Sequence, residues 1–332
     1  MKKTVLAIAL SISSTAVFAD KVSVTLENYK WAESDLAFNN ITKNVGSNAW
    51  LHFPGLTPLD QQTVVRMNRD TIYSAYIADL SKGGTITIPE NDGRYISVMI
   101  VQNDHYIDQV FTKPGTYTLK TQTEFAMIAA RIQINPNDPK DMENVKRLQQ
   151  QVVVKNTSHN EHKMPDYNQD QLLSLRAKYV KEGDKVGGNQ VFQGPRGEVD
   201  DHLHLIGTAT GWGLLPPAYA QYLGYYSSGA EAESKNCSMA TYKVPPIHEG
   251  GFFSLTVYNK DGWITSENSI LNRYNVTFNE DGTFTAHYGN CPDNLPNRLP
   301  VEDNWDVTLR IYQPDLDKLK DYKLPKLTVM KK

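Results

Sequence analysis

The sequence has 332 residues, with 34 lysines and arginines against 37 aspartates and glutamates, a net charge of −3. That balance gives no electrostatic reason to expect nucleic acid or an anionic membrane as a partner, since their phosphates call for a basic surface. Charged residues make up only 21 % of the chain, which also holds 18 tyrosines and 17 prolines, the profile of a turn-rich β protein rather than a helical one.

The chain opens with Lys2 and Lys3, an apolar run from Val5 to Ile12, and Val17-Phe18-Ala19 with a small last residue. This is the layout of a secretory signal peptide over residues 1–19, with cleavage expected after Ala19. The run is shorter than the roughly 20 residues needed to span a bilayer, and the segment has no cysteine for a lipid anchor. The expected location is therefore periplasmic or secreted, without stable membrane insertion. About 310 residues remain, enough for two domains.

Helical spacing of Tyr29, Ala32 and Leu36 predicts a helix over Thr25–Lys43. After a Gly-, Pro- and Asn-rich passage, strands are expected at Thr85–Ile88, Arg94–Val101, Thr116–Leu119 and Phe125–Ile134. Gly83-Gly84, Asn91-Asp92-Gly93 and Pro114-Gly115 separate them with turn chemistry. Asp138 is expected to cap a helix with Pro139 at its first position, where the missing N–H does no harm. A second helix is expected from about Asp170 to Glu182, stopped by Gly183. From Ala240 the β signal returns at Thr241–Val244, Phe252–Tyr258, Tyr274–Phe278, Thr283–Tyr288 and Val307–Tyr312, with two Asp-Gly turns at Asp261-Gly262 and Asp281-Gly282. The reading is mainly β with intervening helices, as two β-sandwich or jelly-roll-like modules. The N-terminal module covers 20–155 and the C-terminal one 231–332, with a helical and loop connection over 156–230.

Cys237 and Cys291 are the chain's two cysteines. In an oxidising compartment such a pair is expected to bridge, closing a loop worth about 4 kcal/mol in the chain-entropy model. Neither has a neighbouring histidine or a Cys-x-x-Cys partner that would suggest catalysis.

Signatures of serine hydrolases, zinc proteases and nucleotide-binding loops are missing. The densest polar cluster is Arg66-Met67-Asn68-Arg69-Asp70-Thr71-Ile72-Tyr73-Ser74, ahead of a strand. Arg66 and Arg69 could clamp a carboxylate or phosphate by paired hydrogen bonds, oriented by Asp70. The alternative is a structural network in which Asp70 caps a turn and the arginines tie loops together. His105, in Asp104-His105-Tyr106 at a strand end, could serve as base or ligand. In Asp200-Asp201-His202-Leu203-His204 an extended backbone would place His202 and His204 on one face, as two imidazole ligands require. Glu198, His248 and His287 are possible third ligands, and His52 is a further candidate. Trp212, Phe252, Phe253, Tyr258 and Trp263 could stack on a sugar, although aromatics on strands usually fill cores; Phe253, Leu255 and Val257 share a face expected to point inward.

The string Arg66–Ser74, with Asp60-Gln61-Gln62-Thr63-Val64 before it and Gly93-Arg94-Tyr95, Asp104-His105-Tyr106 and Asn137-Asp138-Pro139-Lys140-Asp141 after it, resembles the exported bacterial family called domain of unknown function 1254. The second half is similar to domain of unknown function 1214. The matching strings are His204-Leu205-Ile206-Gly207-Thr208-Ala209, Gly211-Trp212-Gly213, Gly251 to Tyr258, and Leu309-Arg310-Ile311-Tyr312-Gln313-Pro314. Phe253 stands where that family usually has Trp, and Arg298 where it often has a cysteine, so any bridge to Cys291 must use Cys237. Only His204 of the histidine pair sits in a family string. The resemblance implies two β-sandwich-like modules with helices between them, and no function.

The leading expectation is a small polar or anionic ligand held between the modules by Arg66, Asn68, Arg69, Asp70, Tyr73, His105 and His204. Arg66 and Arg69 would contact the anion, Asp70 would orient them, and Tyr73 and His105 would serve as hydrogen-bonding walls. One alternative is a metal-assisted hydrolase or oxidoreductase using His105 and His204 with Asp70 or Asp104. The other is a non-catalytic envelope protein. The sequence names no cofactor.

Overall fold

The computed structural model describes residues 21–62, 64–136, 138–186 and 191–330. The expected signal peptide lies outside the described residues. Helix α1 (Tyr29–Val45) comes first, followed by β1 (Trp50–His52), β2 (Thr71–Asp79), β3 (Gly84–Ile88), β4 (Ile96–Gln102), β5 (Gln109–Phe111), β6 (Gly115–Leu119) and β7 (Phe125–Gln133). Then come α2 (Asp141–Gln151), β8 (Val153–Asn156), α3 (Gln169–Gly183) and α4 (Asp201–Thr210). The second half has β9 (Ala220–Tyr226), β10 (Cys237–Tyr242), β11 (Ile247–Tyr258), β12 (Ile270–Asn272), β13 (Phe284–Gly289), β14 (Arg298–Leu299), β15 (Asp306–Pro314), a short α5 (Leu316–Leu319) and β16 (Thr328–Val329).

The chain is mainly β, and each half is a sandwich. In the first, the sheet β1-β2-β7-β4-β5 packs on β6-β3-β8. Ile72, Ile96, Ile128 and Ile132 of the larger sheet meet Ile86, Ile88 and Leu119 of the smaller, with Val145 and Leu148 of α2 closing one side. In the second, β12-β11-β15-β9 packs on β14-β13-β10-β16. Phe253, Leu255, Val257, Leu309 and Ile311 meet Tyr242, Phe284, Ala286 and Tyr288, with Trp305 among them. Cys237 and Cys291 form a disulfide that ties β10 to the chain leaving β13.

The two large sheets then turn their remaining faces to each other. Ala75, Ile77, Tyr95 and Met99 share a core with Ala220, Phe252 and Tyr312, closed at one end by Phe38 of α1. This explains why β4 is buried at every position and β7 at nearly every one: an inner sheet covered on both faces needs a continuous apolar run rather than an alternating one. Helices α1, α3 and α4 form their own cluster around Tyr29, Leu172, Tyr179 and Ile206 beside the sandwiches.

Four expectations change. β9 lies inside the segment read as connector, yet it pairs along its length with β15. Helix α2 begins at Asp141, not Pro139; Asp138 instead accepts the Lys140 N–H at 2.9 Å and closes a turn ahead of the helix. Tyr274–Phe278 is not a strand, because Asn275 accepts the Asn272 N–H (2.7 Å) and Asn272 accepts the Tyr274 N–H (3.0 Å), the local bonding by which asparagine ends a ladder. His202 and His204 stand on α4, started by Asp200, whose carboxylate accepts the His202 and Leu203 N–H groups. At helical spacing two residues apart they face opposite ways. His202 pairs at the surface with Glu182, while His204 is fully buried.

Candidate functional site at the seam between the modules

The segment leading into β2 stitches the sandwiches together. Gln62 exchanges two hydrogen bonds with the Ile264 backbone, at 2.9 and 3.1 Å. The Arg66 N–H donates to the Gly262 carbonyl at 2.7 Å, which brings the two backbones so close that a Cβ at 262 would sit 3.2 Å from Val65 Cβ. Gly262 also has φ +84°, so glycine is needed there twice over. Arg310 donates to the Arg66 carbonyl (2.7 Å) and Tyr258 to the Met67 carbonyl (3.0 Å). Arg66 itself adopts φ +51°, a strained backbone for a residue with a Cβ. Its guanidinium pairs with the buried Asp306 at 2.6 Å and reaches Tyr226 Oη at 3.0 Å.

Asp70 does not orient Arg66 or Arg69. It is fully buried, accepts Ser254 Oγ at 2.5 Å and Asn272 Nδ2 at 3.1 Å, and faces the charge of Arg310. Burial pushes its carboxyl up from the ordinary aspartate range, opposed by Ser254, Arg310 and Asn272. Asn68 is consumed as well: its amide donates to Tyr312 Oη (2.8 Å), Tyr73 Oη (3.2 Å) and Thr71 Oγ1 (3.3 Å), and its oxygen accepts the Asp70 N–H at 2.7 Å. This part of the motif is spent on the joint between the modules, but not as a turn cap at Asp70: its carboxylate meets Ser254 and Asn272, and it is Asn68 that takes the backbone N–H.

Arg69 is different. Its side chain is only 6 % exposed, yet its counter-ion Glu267, at 2.8 Å, is 73 % exposed. Among the described residues Arg69 Nε has no hydrogen-bond partner. The guanidinium borders a cavity of about 340 Å³ walled by Leu56 and Pro136 from the first module and by Glu267, Asn268, Ile270 and Asn275 from the second. A permanently charged, buried guanidinium at the wall of a cavity, paired with an exposed surface carboxylate, has the chemistry to contact an anion.

His105 and His204 form a separate network that shares no hydrogen-bonded partner with Asp70. The Gly213 N–H donates to His105 Nε2 at 2.9 Å, so the proton resides on Nδ1, which faces Thr208 Oγ1 at 2.9 Å; that hydroxyl in turn donates to the His204 carbonyl at 2.8 Å. His204 Nε2 donates to the Asp104 carbonyl at 3.0 Å, and its ring lies flat on Tyr106. Burial, and for His105 the neighbouring His204, lowers the pKa of both rings. His105 thus has no free nitrogen for a metal or a proton transfer. Among the described residues, no group of three or more His, Cys, Asp or Glu side chains could hold a metal ion. His52 is engaged with Ser74 and stacked on Trp50. Phe252, Phe253 and Tyr258 are core residues, and Trp212 stacks on His105 and donates to Ser34, so these four are engaged within the protein; Trp263 is half-buried just after the Asp261-Gly262 turn.

The sequence reading passed over Ser254, Asn272, Glu267, Arg310 and Arg131. Two of these carried a signal: Arg131 interrupts the apolar run of β7 and Arg310 that of β15, and an arginine inside a strand buried on both faces must meet polar company.

Residues 47–115 match the family described as protein of unknown function DUF1254, and residues 228–316 match protein of unknown function DUF1214. The chain thus carries a DUF1254 region in its first half and a DUF1214 region in its second. No curated protein matches it. Among solved structures it is similar to the VPA0106 protein from Vibrio parahaemolyticus, at 17 % identity and TM-score 0.69 over 92 % of this chain and 98 % of that one. It is also similar to an uncharacterized protein from Burkholderia cenocepacia, at 12 % identity and TM-score 0.53 over 92 % and 88 %. At these identities the likeness concerns the fold alone, which extends over both modules of this chain.

Proposed function

We propose that this chain is an exported binding protein for a small anionic solute, taken up at the seam between its modules with Arg69 as the fixed cationic contact. The carrying observation is the buried Arg69 guanidinium at the wall of the 340 Å³ cavity, with Nε unpartnered among the described residues and an exposed Glu267 as its counter-ion. An ion pair with one exposed member contributes little, so a planar carboxylate or phosphate can displace Glu267 at small cost. Asn268 and Asn275 also line the cavity, their amides already donating to the Arg298 and Ile270 carbonyls. Export rests on the Lys2-Lys3 and Val5–Ile12 pattern, and the Cys237–Cys291 bridge is in keeping with an oxidising compartment. The occupied nitrogens of His105 favour binding over metal-assisted catalysis.

Calorimetry and thermal shift with phosphate, sulfate and small mono- and dicarboxylates test the site. A ligand at a hundredfold excess over its Kd adds about 2.7 kcal/mol, a rise of roughly 5 °C for a protein of this size. Arg69→Gln is expected to abolish the shift and Glu267→Gln to increase it. A panel that shifts neither the wild type nor Glu267→Gln removes the proposal. Mass analysis of the protein from the cell envelope, with Asp20 as the expected first residue, tests export.

A further inference from the structure

The cross-strand register places Tyr73, Arg131 and Ser97 abreast on the seam face of the first module's large sheet, Arg131 lying between its neighbours on β2 and β4. One step along the same face is Gln133, whose N–H donates to the Tyr95 carbonyl at 2.9 Å. The facing sheet contributes Tyr312, whose ring is 5.2 Å from that of Tyr95. All the members of this set from β4, its flank and β7 are deeply buried: Tyr95 1 %, Ser97 0 %, Arg131 7 % and Gln133 0 % exposed.

Within the set the Tyr95 and Ser97 hydroxyls face each other, while the arginine and glutamine are left open. Arg131 Nη2 donates to the Gly213 carbonyl at 2.8 Å and the guanidinium lies 5.3 Å from the Tyr73 ring centre. Among the described residues, Arg131 Nη1 and Gln133 Nε2 have no hydrogen-bond partner, and the hydroxyls of Tyr95 and Ser97 meet only each other. Guanidinium and amide nitrogens can only donate, and both hydroxyls can donate. Nor is the charge matched. Arg66 has Asp306 and Arg69 has Glu267, which leaves Arg131 and Arg310 at the seam with Asp70, itself bonded to Ser254 and Asn272. The titratable neighbours acting on Arg131 are the phenols of Tyr73, Tyr222, Tyr95 and Tyr312, and no carboxylate is among them. An arginine cannot shed its proton to escape burial, and a buried unpaired charge is strongly destabilising.

Unpartnered Arg131 and Gln133 donors, beside a hydroxyl pair with one proton to spare and on a cation with no carboxylate among the groups acting on it, are the complement of an anion rather than of a metal. We infer that the seam encloses a small monovalent inorganic anion of the halide class, held by Arg131 Nη1 with Gln133 and the Tyr95–Ser97 hydroxyl pair as neutral donors. Tyr222, one of the phenols acting on Arg131, is 40 % exposed as a residue. This anion is distinct from the solute proposed at Arg69 and rests on different residues.

Bromide replaces chloride in such sites and scatters anomalously, so a wild-type crystal grown in bromide is the direct test. The expected result is an anomalous peak within hydrogen-bonding distance of Arg131 Nη1. An ordered water at that position without anomalous signal overturns the inference, as does bromide found only beside Arg69, an outcome that would leave the Arg69 proposal standing. In solution, the wild type is expected to melt several degrees higher in chloride or bromide than in gluconate at equal ionic strength, and Arg131→Gln to lose that difference. Should Arg131→Gln fail to fold, Ser97→Ala is expected to weaken the anion dependence severalfold; an unchanged dependence counts against the site.

Discussion

Asp70→Asn and Asp70→Ala separate what the Asp70 carboxylate contributes by hydrogen bonding from what its charge costs. The residue is fully buried, as are Ser254 and Asn272, the two donors that meet its oxygens. Alanine removes both acceptors and leaves a hydroxyl and an amide unsatisfied in the seam, at about 1–3 kcal/mol each, so a loss of about 3–5 kcal/mol is expected. Asparagine keeps one acceptor, and the Ser254 hydroxyl can turn to accept from the new amide; it also removes a charge that burial penalises. Its expected cost near neutral pH is under about 1 kcal/mol. The pH dependence carries the sign. Because burial raises the folded-state pKa, the folded protein binds a proton there more readily than the unfolded chain does. The wild type should therefore gain stability relative to Asp70→Asn as the pH falls through the folded pKa toward the ordinary value of 3.8. Denaturant melts of the three proteins between pH 7 and pH 4 measure both effects. Equal losses for Asn and Ala, or a wild-type advantage that shrinks on acidification, would show that the charge itself holds the seam and refute this account.

Three further outcomes follow from other contacts. Arg94 grips the buried Asp141 with two hydrogen bonds, at 2.6 and 3.1 Å, and so fixes the start of α2 against the N-terminal end of β4; Arg94→Met strands that carboxylate and is expected to cost about 3–5 kcal/mol in denaturant melts, with Arg94→Met/Asp141→Leu recovering much of it. Replacing Cys237 and Cys291 together by serine frees a loop spanning 54 residues in sequence and should lower stability by about 4 kcal/mol, read as the shift of the melt on reduction of the wild type but not of the double variant. His105 stays neutral in the fold while the unfolded chain takes up a proton near pH 6.5, so its contribution is present above that pH and lost as pH falls below it, by up to about 1.4 kcal/mol per pH unit; His105→Asn, which tolerates the φ of +68°, should flatten the fall in melting temperature between pH 7.5 and pH 5.5.

The sandwich pairs were legible because strand alternation and Asp-Gly turns are local signals, and Phe253, Leu255 and Val257 face the C-terminal core as that alternation requires. At Asp200–His204 the placing of both histidines on one face depended on an extended backbone; the chain is helical there, and the Asp200 cap was the local sign of it. The site was legible only as a cluster. Nothing local distinguishes Asp70, whose partners lie 184 and 202 residues away, from Arg69, whose Glu267 is equally remote. The chain motif marks where polar groups gather, while the opposite sheet decides which of them are spent. That division of labour is a long-range property, and it turned most of a suspected ligand site into a joint.

The joint also constrains how a solute can enter. Binding proteins built from two lobes often close by a hinge, which requires a lobe interface that opens. Here the seam is packed by Tyr95, Phe252 and Tyr312, whose rings lie 4.4–5.2 Å apart, and pinned by the backbone bonds from Arg66 and Met67 to Gly262, Arg310 and Tyr258. Opening it would expose those rings and leave Asp70, Ser254 and Asn272 to separate, at a cost far above the free energy of binding a small anion. The exposed member of the Arg69 ion pair is a single side chain, Glu267. If the seam takes up an anion as proposed, that anion replaces the Glu267 carboxylate at the Arg69 guanidinium, between walls that include Leu56, Pro136 and Ile270 and without closure of the modules.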